Sequence, residues 1–337
     1  MKEYDKLKLR ISSNPHIRGP EDTHSLMLDV VIALLPTIAM AVYVFGWRAL
    51  GATLVSVAAC VGFEALYCLL MHKKQTVGDL SAVVTGMMLA MGCSSLMPYW
   101  MLIVGSFFSI VVVKELYGGL GKNFLNPALA GRAALVACYA PQMSTWAKPF
   151  ERASVFGNTA DVVTAATPMA ILKNNGLEAL QGQYSLSDML LGFCGGSIGG
   201  VSSMMLLLGG FYLLFRRVIT WHIPVSYLAT VALLSYLFPM SGDALPYMLY
   251  CVLGGSLMLG AFFMATDYTT SPVSGEGRII FGVGCGLLTV FIRNFGAYSE
   301  GVGYAILVMN CFTGMIDRHC KPLRFGTRGK RGEVADK

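Results

Sequence analysis

The residues at 161–168 combine two hydroxyl groups with a predicted helix N-terminus, an arrangement that favours a bound anion. The segment reads Asp-Val-Val-Thr-Ala-Ala-Thr-Pro and lies in the longest polar interval of the chain. Thr167 is followed by Pro168 and then by Met-Ala-Ile-Leu-Lys, which predicts an N-cap threonine with proline at the first helical position. Free amides and the helix dipole stabilise anions at such a terminus. Local sequence alone favours the simplest interpretation, in which Thr167 is only a helix cap.

Two other polar stretches interrupt apolar sequence and could form a binding site. They span 118–127, which is rich in glycine and ends in Asn-Pro, and 266–278, which contains Thr-Ser-Pro. Proline removes a backbone donor and glycine weakens helices, so each stretch is interpreted as a helix break whose free backbone groups need partners. Paired breaks in the two halves of a membrane protein indicate a central binding site, although two ordinary loops would give the same pattern.

The elements that position these residues are predicted to be membrane-spanning helices. Hydrophobic residues make up 55% of the 337 and charged residues 13%, and the mean hydropathy is +0.61. These values are typical of an all-α polytopic membrane protein. Ten apolar runs approach the length of about 20 residues that a helix needs to span the bilayer. The predicted spans are 26–46, 49–71, 80–97, 99–117, 124–140, 188–215, 222–238, 246–266, 278–293 and 300–317.

The spans divide the chain into five regions. They are a tail (1–25), a first transmembrane repeat (26–140), a loop (141–187), a second repeat (188–317) and a basic tail (318–337). With both tails in the cytoplasm, 19 of the 25 Lys and Arg lie on the cytoplasmic face, as the positive-inside rule requires. The net charge of +6 is then accounted for without a nucleic-acid partner. The loop that carries Thr167 is placed outside the cytoplasm.

The two halves of the chain resemble each other weakly. Pro98-Tyr99 opens the fourth predicted span and Pro246-Tyr247 opens the eighth, and a Gly-Ser pair follows in each. Because five is an odd number, two consecutive copies of five spans must enter the membrane from opposite sides, which predicts an inverted repeat. Within the sixth span, Gly192, Gly196 and Gly200 are spaced for close helix packing.

Four separated motifs resemble one known family. They are Asp161–Thr167, Asn123–Arg132 (Asn-Phe-Leu-Asn-Pro-Ala-Leu-Ala-Gly-Arg), Gly78–Gly86 and Ala265–Pro272. Together they are similar to the D-type member of the Rnf electron-transport complex and to its relative, the B-type member of the sodium-pumping NADH:quinone oxidoreductase. The resemblance covers essentially the whole chain, and the short N-terminal tail favours the Rnf type. It implies a fold similar to urea and ammonium channels, with two inverted five-helix repeats.

The resemblance also implies two flavins. In this family a flavin transferase esterifies the last Thr of a short motif to the phosphate of FMN, and the matching residue here is Thr167. Asp161 is the Asp that precedes the motif, and Thr164 stands where the family often has Ser, which keeps the hydroxyl. A non-covalent riboflavin is expected near Asn123 and Asn126, whose amides could bind its ring or ribityl chain.

The implied function is that of a flavin-carrying subunit of a redox-driven ion pump in the bacterial cytoplasmic (inner) membrane. It would relay electrons between the ferredoxin and NAD sides of the complex and couple this transfer to Na⁺ or H⁺ movement. The expected partners are the A, B, C, E and G proteins of the Rnf complex, the flavin transferase and membrane lipid. Ferredoxin and NADH are left to these partners, because the chain has no dinucleotide-binding glycine motif and no cysteine pattern for an iron–sulfur cluster. Thr167 would be an attachment point, with no catalytic residue in this chain.

Charged residues inside the predicted spans are candidates for an ion route. They are Asp29, Glu64, Arg132 and the adjacent pair Lys114-Glu115. Asp29 and Glu64 could instead reach the lipid headgroups, and Arg132 could neutralise a flavin or pair with Glu115.

Two alternatives stay open at this point. The chain could belong to the sodium-pumping quinone oxidoreductase, or it could be a channel or transporter for a small solute with the same broken helices. A solute channel would not need Thr167, so a flavin that survives denaturation distinguishes it from the redox subunit.

Overall fold

Helices form the regular structure in the part of the chain that the computed structural model describes, residues 22–151, 154–155 and 163–320. The α-helices are α1 Thr23–Phe45, α2 Trp47–Leu70, α3 Ser81–Met91, α4 Tyr99–Phe107, α5 Pro127–Cys138, α6 Ala140–Met143, α7 Pro168–Asn175, α8 Leu177–Gln181, α9 Leu186–Leu191, α10 Ser203–Phe215, α11 His222–Leu237, α12 Ala244–Leu253, α13 Leu257–Leu259, α14 Gly275–Phe295 and α15 Val302–His319. Short 3₁₀ helices cover Val77–Asp79 and Ile198–Gly200, and π-helices at Phe108–Glu115 and Gly260–Met264 continue α4 and α13. The all-α prediction is confirmed for these residues.

Three helices are long and apolar enough to cross a membrane as single spans. They are α1, α2 and α14, with 23, 24 and 21 residues. A fourth crossing would be the bent pair of α12 with Leu257–Met264, whose two parts meet at 60°. Helical segments lie in every one of the ten predicted intervals, but several have only 10–17 residues. The number of ten crossings therefore stays a prediction.

The prediction of one continuous helix over 188–215 was wrong. Helix α9 ends at Leu191, and α10 begins only at Ser203. Gly192 ends α9 in a left-handed conformation (φ +105°), where a β-carbon would lie 2.6 Å from the carbonyl oxygen of Val201. The glycines at 192, 196 and 200 therefore do not form one helical packing face, because the chain turns tightly between them.

The helices of the two halves pack in matching patterns. In the first half α2 packs on α3 and α4, and α4 packs on α5; in the second half α11 packs on α12 and α14, and α14 packs on α15. Across the halves, α1 contacts α10 and α5 contacts α15. This correspondence supports two five-helix units. Their inverted relation stays a prediction.

The sequence pairs first used to infer this repeat do not occupy equivalent positions. In the packing correspondence α4 matches α14, and α3 matches the α12–α13 segment. Pro98 precedes α4 whereas Pro246 lies in the first turn of α12, so that pairing was wrong. Proline is favoured near the start of any helix, so its recurrence there is a local effect that carries no register.

Candidate functional site

Thr167 is the N-cap of α7, as the sequence predicted. Its backbone is extended (φ −67°, ψ 150°), and Pro168 is the first helical residue. The amide of Ala170 donates to the hydroxyl oxygen of Thr167 over 3.2 Å. The Thr167 side chain is buried, with only 2% of its surface exposed. The hydroxyl thus lies where amides would stabilise a phosphate, but it faces the interior of the protein.

The residues before Thr167 pair with a neighbouring segment. Ala147 and Thr164 form an antiparallel bridge, with the Lys148 amide donating to the Val163 carbonyl (3.2 Å) and the Ala165 amide to the Trp146 carbonyl (3.0 Å). Thr164 is exposed at this bridge. Asp161, the other residue expected to mark the motif, lies outside the described residues.

A glycine-rich turn at 195–197 lies beside Thr167. Thr167 shares a small cavity of about 270 Å³ with Gly195, Gly196, Ser197 and Glu300, among others. A β-carbon on Gly195 would lie 3.2 Å from the Ala147 carbonyl and 3.4 Å from the β-carbon of Ala165. The sequence pattern was interpreted as helix packing, so this contact with the Thr167 segment was missed.

The two predicted breaks meet at a second, larger cavity. It encloses about 690 Å³ and is lined by Asn123 and Asn126 from the first break and by Thr266–Thr269 from the second. Asn126 caps α5 by accepting from the amides of Ala128 (3.1 Å) and Leu129 (3.3 Å), and its amide donates to the Met264 carbonyl (3.1 Å). The end of a π-helix frees that carbonyl, so Asn126 joins the two breaks.

Asn123 offers an unused acceptor at the same cavity. Its amide donates to the Leu125 carbonyl and to the Thr269 hydroxyl, each over 3.1 Å. Its carbonyl oxygen Oδ1 is buried and has no hydrogen-bond partner among the described residues. An unpaired buried acceptor is costly, and a ligand donor would remove that cost. An amide at this cavity with a buried unpaired acceptor is a residue type that could bind a flavin.

A buried ion pair also borders this cavity. Lys114 lines the cavity and donates to Glu64 over 2.6 Å, with 2% and 0% of the two side chains exposed. Lys114 donates to the Ser81 hydroxyl as well (2.6 Å), and the Thr76 hydroxyl donates to the other Glu64 oxygen (2.5 Å). Glu64 therefore does not reach the headgroups as one interpretation allowed. Asp29 forms an ion pair with Arg216, with 3.1 Å between its Oδ2 and a guanidinium nitrogen.

Arg132 lies in a third cavity, of about 650 Å³, between α5 and α15. It pairs with Glu300 over 3.5 Å and not with Glu115, which was one of the two alternatives that the sequence allowed. Its Nε atom is buried without a partner among the described residues. Glu300, which also accepts from the Ser256 hydroxyl (3.2 Å), lines both this cavity and that of Thr167. Sequence reasoning missed Glu300, because it is the first residue of the tenth predicted span and belongs to no motif.

The predicted site residues therefore form two groups joined by one helix. Asn123 and Asn126 lie together at the start of α5, and Arg132 lies six residues further along, about 9 Å by helical rise. Arg132 connects through Glu300 to the cavity of Thr167. One cavity thus lies at the start of α5, and the cavity of Arg132 lies along the side of the same helix.

Comparison with known proteins gives a consistent result over nearly the whole chain. The family model described as NQR2, RnfD, RnfE matches residues 10–326. Three similar relatives are all D-type members of ion-translocating oxidoreductase complexes. The chain is 44% identical to the one from the Na(+)-translocating ferredoxin:NAD(+) oxidoreductase complex of Acetobacterium woodii, over 96% of each protein. It is 41% identical to the one from the proton-translocating ferredoxin:NAD(+) oxidoreductase complex of Clostridium ljungdahlii, over 94% of this chain and 96% of that protein. It is 37% identical to the one from the ion-translocating oxidoreductase complex of Stutzerimonas stutzeri, over 91% and 93%.

Proposed function

This chain belongs to the NQR2, RnfD, RnfE family, and from this membership we propose that it is the flavin-carrying D-type member of an ion-translocating ferredoxin:NAD oxidoreductase complex. The proposal rests on the similarity to three D-type relatives, which are 44%, 41% and 37% identical to this chain over nearly its full length. The protein lies in the bacterial cytoplasmic membrane with both termini inside. It works with the other Rnf proteins and couples electron transfer to movement of Na⁺ or H⁺.

The cavity between the two breaks is the proposed site of the non-covalent flavin, riboflavin. A flavin bound there supplies one- and two-electron redox chemistry, while the protein supplies binding and orientation. Asn123 would accept from the flavin through its unpaired Oδ1. Asn126 holds the two breaks together, and Lys114 adds a positive charge at the cavity wall. These are the residues that would fix the ring relative to the helices.

Thr167 is the proposed attachment site of FMN, the second flavin, and Asp161 and Thr164 belong to the motif that the transferase recognises. The N-cap position supports a phosphate ester, because helix amides stabilise an anion there. The burial of the hydroxyl does not fit direct modification of the folded segment. Glu300 lines the cavity of Thr167 and pairs with Arg132, so these two residues would set the charge around the attached FMN.

The test is fluorescence of the denatured chain after co-expression with a flavin transferase. We expect a fluorescent band for the wild type and none for Thr167→Ala, because only a covalent flavin survives denaturing electrophoresis. Thr145→Ala, an exposed threonine of the same loop, is the matched control and should fluoresce like the wild type. A wild-type band without fluorescence would contradict the covalent flavin and favour a solute channel. A fluorescent Thr167→Ala band would show that the flavin is attached to another residue.

A further inference from the structure

The Thr167 hydroxyl is buried, so an enzyme that docks on the surface of this loop does not reach it in this conformation. Thr164 and Ala166 are exposed on the outer side of the segment 163–167, whereas Thr167 is 2% exposed and its oxygen accepts from the Ala170 amide. A transferase docked on this loop would therefore contact the outer residues of the motif while the acceptor oxygen stays buried.

Three hydrogen bonds hold the segment closed. Two are the backbone bonds to Trp146 and Lys148, and in the third the Val163 amide donates to a carboxylate oxygen of Glu151 (2.8 Å). The buried turn at Gly195 packs against Ala165 and Ala166 of the segment. These contacts fix the residues that lead into Thr167, so the backbone before the buried hydroxyl cannot move while they are intact.

The helix that follows is fixed independently of this segment. The Lys173 ammonium donates to the carbonyls of Gly296 and Tyr298, and Met169 and Leu172 are buried against the second half of the protein. Opening can therefore be confined to the residues before Pro168, with α7 left in place.

We propose that Thr167 is esterified only from an open state, in which the segment 163–167 has left the 146–148 segment and the cap bond to Ala170 is broken. In that state the Thr167 oxygen attacks the flavin-side phosphorus of a flavin dinucleotide, and a new O–P bond forms. The phosphoanhydride bond breaks, AMP leaves with the bonding electrons, and the hydroxyl proton passes to a base of the transferase. The inference rests on the proposed function and adds the conformation in which the modification occurs.

A cysteine pair tests this directly. Lys148 and Val163 are both exposed and lie opposite each other beside the Ala147–Thr164 bridge, so Lys148→Cys/Val163→Cys should form a disulfide that locks the segment closed without changing Thr164. The chain is made without transferase, reconstituted in lipid nanodiscs, and then treated with transferase and flavin dinucleotide. We expect the reduced form to be labelled and the oxidised form to remain unlabelled. Val163→Cys alone and the wild type, oxidised in the same way, control for the nine native cysteines.

A loosening variant tests the opposite direction. Glu151→Ala removes the side-chain acceptor of the Val163 amide, so labelling should become about two- to fivefold faster if opening limits the rate. Glu178→Ala, an exposed carboxylate on α8, should label at the wild-type rate. Equal labelling of the oxidised and reduced cysteine pair would overturn the open-state inference and leave the proposed function standing. Absence of labelling in nanodiscs of the reduced pair and of the wild type, with a fluorescent wild-type band after co-expression, would also overturn the open-state inference alone. A wild-type band without fluorescence after co-expression would overturn the proposed function.

Discussion

Asn126 and Asn123 are three residues apart but contribute differently to the cavity between the breaks. Asn126 is fully used, since its oxygen caps α5 and its amide holds the Met264 carbonyl. Asn123 has a buried oxygen left over. Loss of Asn126 would weaken the helix start by about 0.5–2 kcal/mol, the usual value of an N-cap, and would confuse binding with folding. Asn123 is therefore the better probe of the ligand.

We predict that Asn123→Ala lowers the amount of non-covalent flavin retained by the purified complex without changing the covalent flavin. The physical reason is the loss of an acceptor that only a ligand would satisfy. Flavin released by denaturation is quantified against the flavin that stays on the band. Asn174→Ala, an exposed amide on α7, is the control. Full retention of free flavin by Asn123→Ala would place the ligand elsewhere.

At the scale of elements, the buried pair Lys114–Glu64 joins α2 to the π-helix that ends at Glu115. A buried charge without its partner is destabilising by about 3–5 kcal/mol, whereas replacing both charges can be nearly neutral. The pair also holds Ser81 at the start of α3, so three elements depend on it.

We therefore predict that Lys114→Met and Glu64→Gln each lower the thermal unfolding temperature in detergent, and that the double variant recovers most of the loss. The unfolding midpoints of the four proteins form a double-mutant cycle, whose coupling term measures the pair. Lys122→Met, an exposed lysine of the first break, should leave the midpoint unchanged. If the two single losses simply add in the double variant, the pair is not an energetic unit.

The packing of elements also explains which sequence patterns were informative. The structure brings the break residues 118–127 and 266–278 into contact through the Asn123–Thr269 hydrogen bond, and Asn126 bonds to Met264 just before the second break. The glycine spacing in 192–200 misled, because the same spacing suits a helix face and a tight turn. Glycine spacing alone does not distinguish a helix face from a tight turn, because a glycine can adopt the positive φ angle that a turn requires.

For the whole molecule, the proposed electron path would join the cavity at the start of α5 to the cavity of Thr167. We predict that a complex assembled with Thr167→Ala retains all its subunits but forms no membrane potential in inverted vesicles supplied with reduced ferredoxin and NAD⁺. The reason is the loss of the fixed redox group on one side of the path. Thr145→Ala is again the control. A normal potential with Thr167→Ala would remove this residue from the electron path. Repeating the wild-type measurement with and without Na⁺ identifies the ion, which the names of the two relatives leave open.

The sequence by itself determined the properties that depend on nearby residues. Composition predicted helices, and Thr-Pro predicted the cap of α7. Whole-chain similarity added the family. Each of these depends on hydrogen bonds within one turn or on residue type along the chain, so no distant contact is needed to predict it.

Only the tertiary structure decided which distant groups became partners. Arg132 pairs with Glu300, 168 positions away, and Lys114 with Glu64, 50 positions away. The burial of Thr167 likewise depends on the turn at 194–197, which shares its cavity and which local pattern does not specify. A charge or hydroxyl in an apolar interior takes the partner that packing brings within reach, and that choice is made by the fold as a whole.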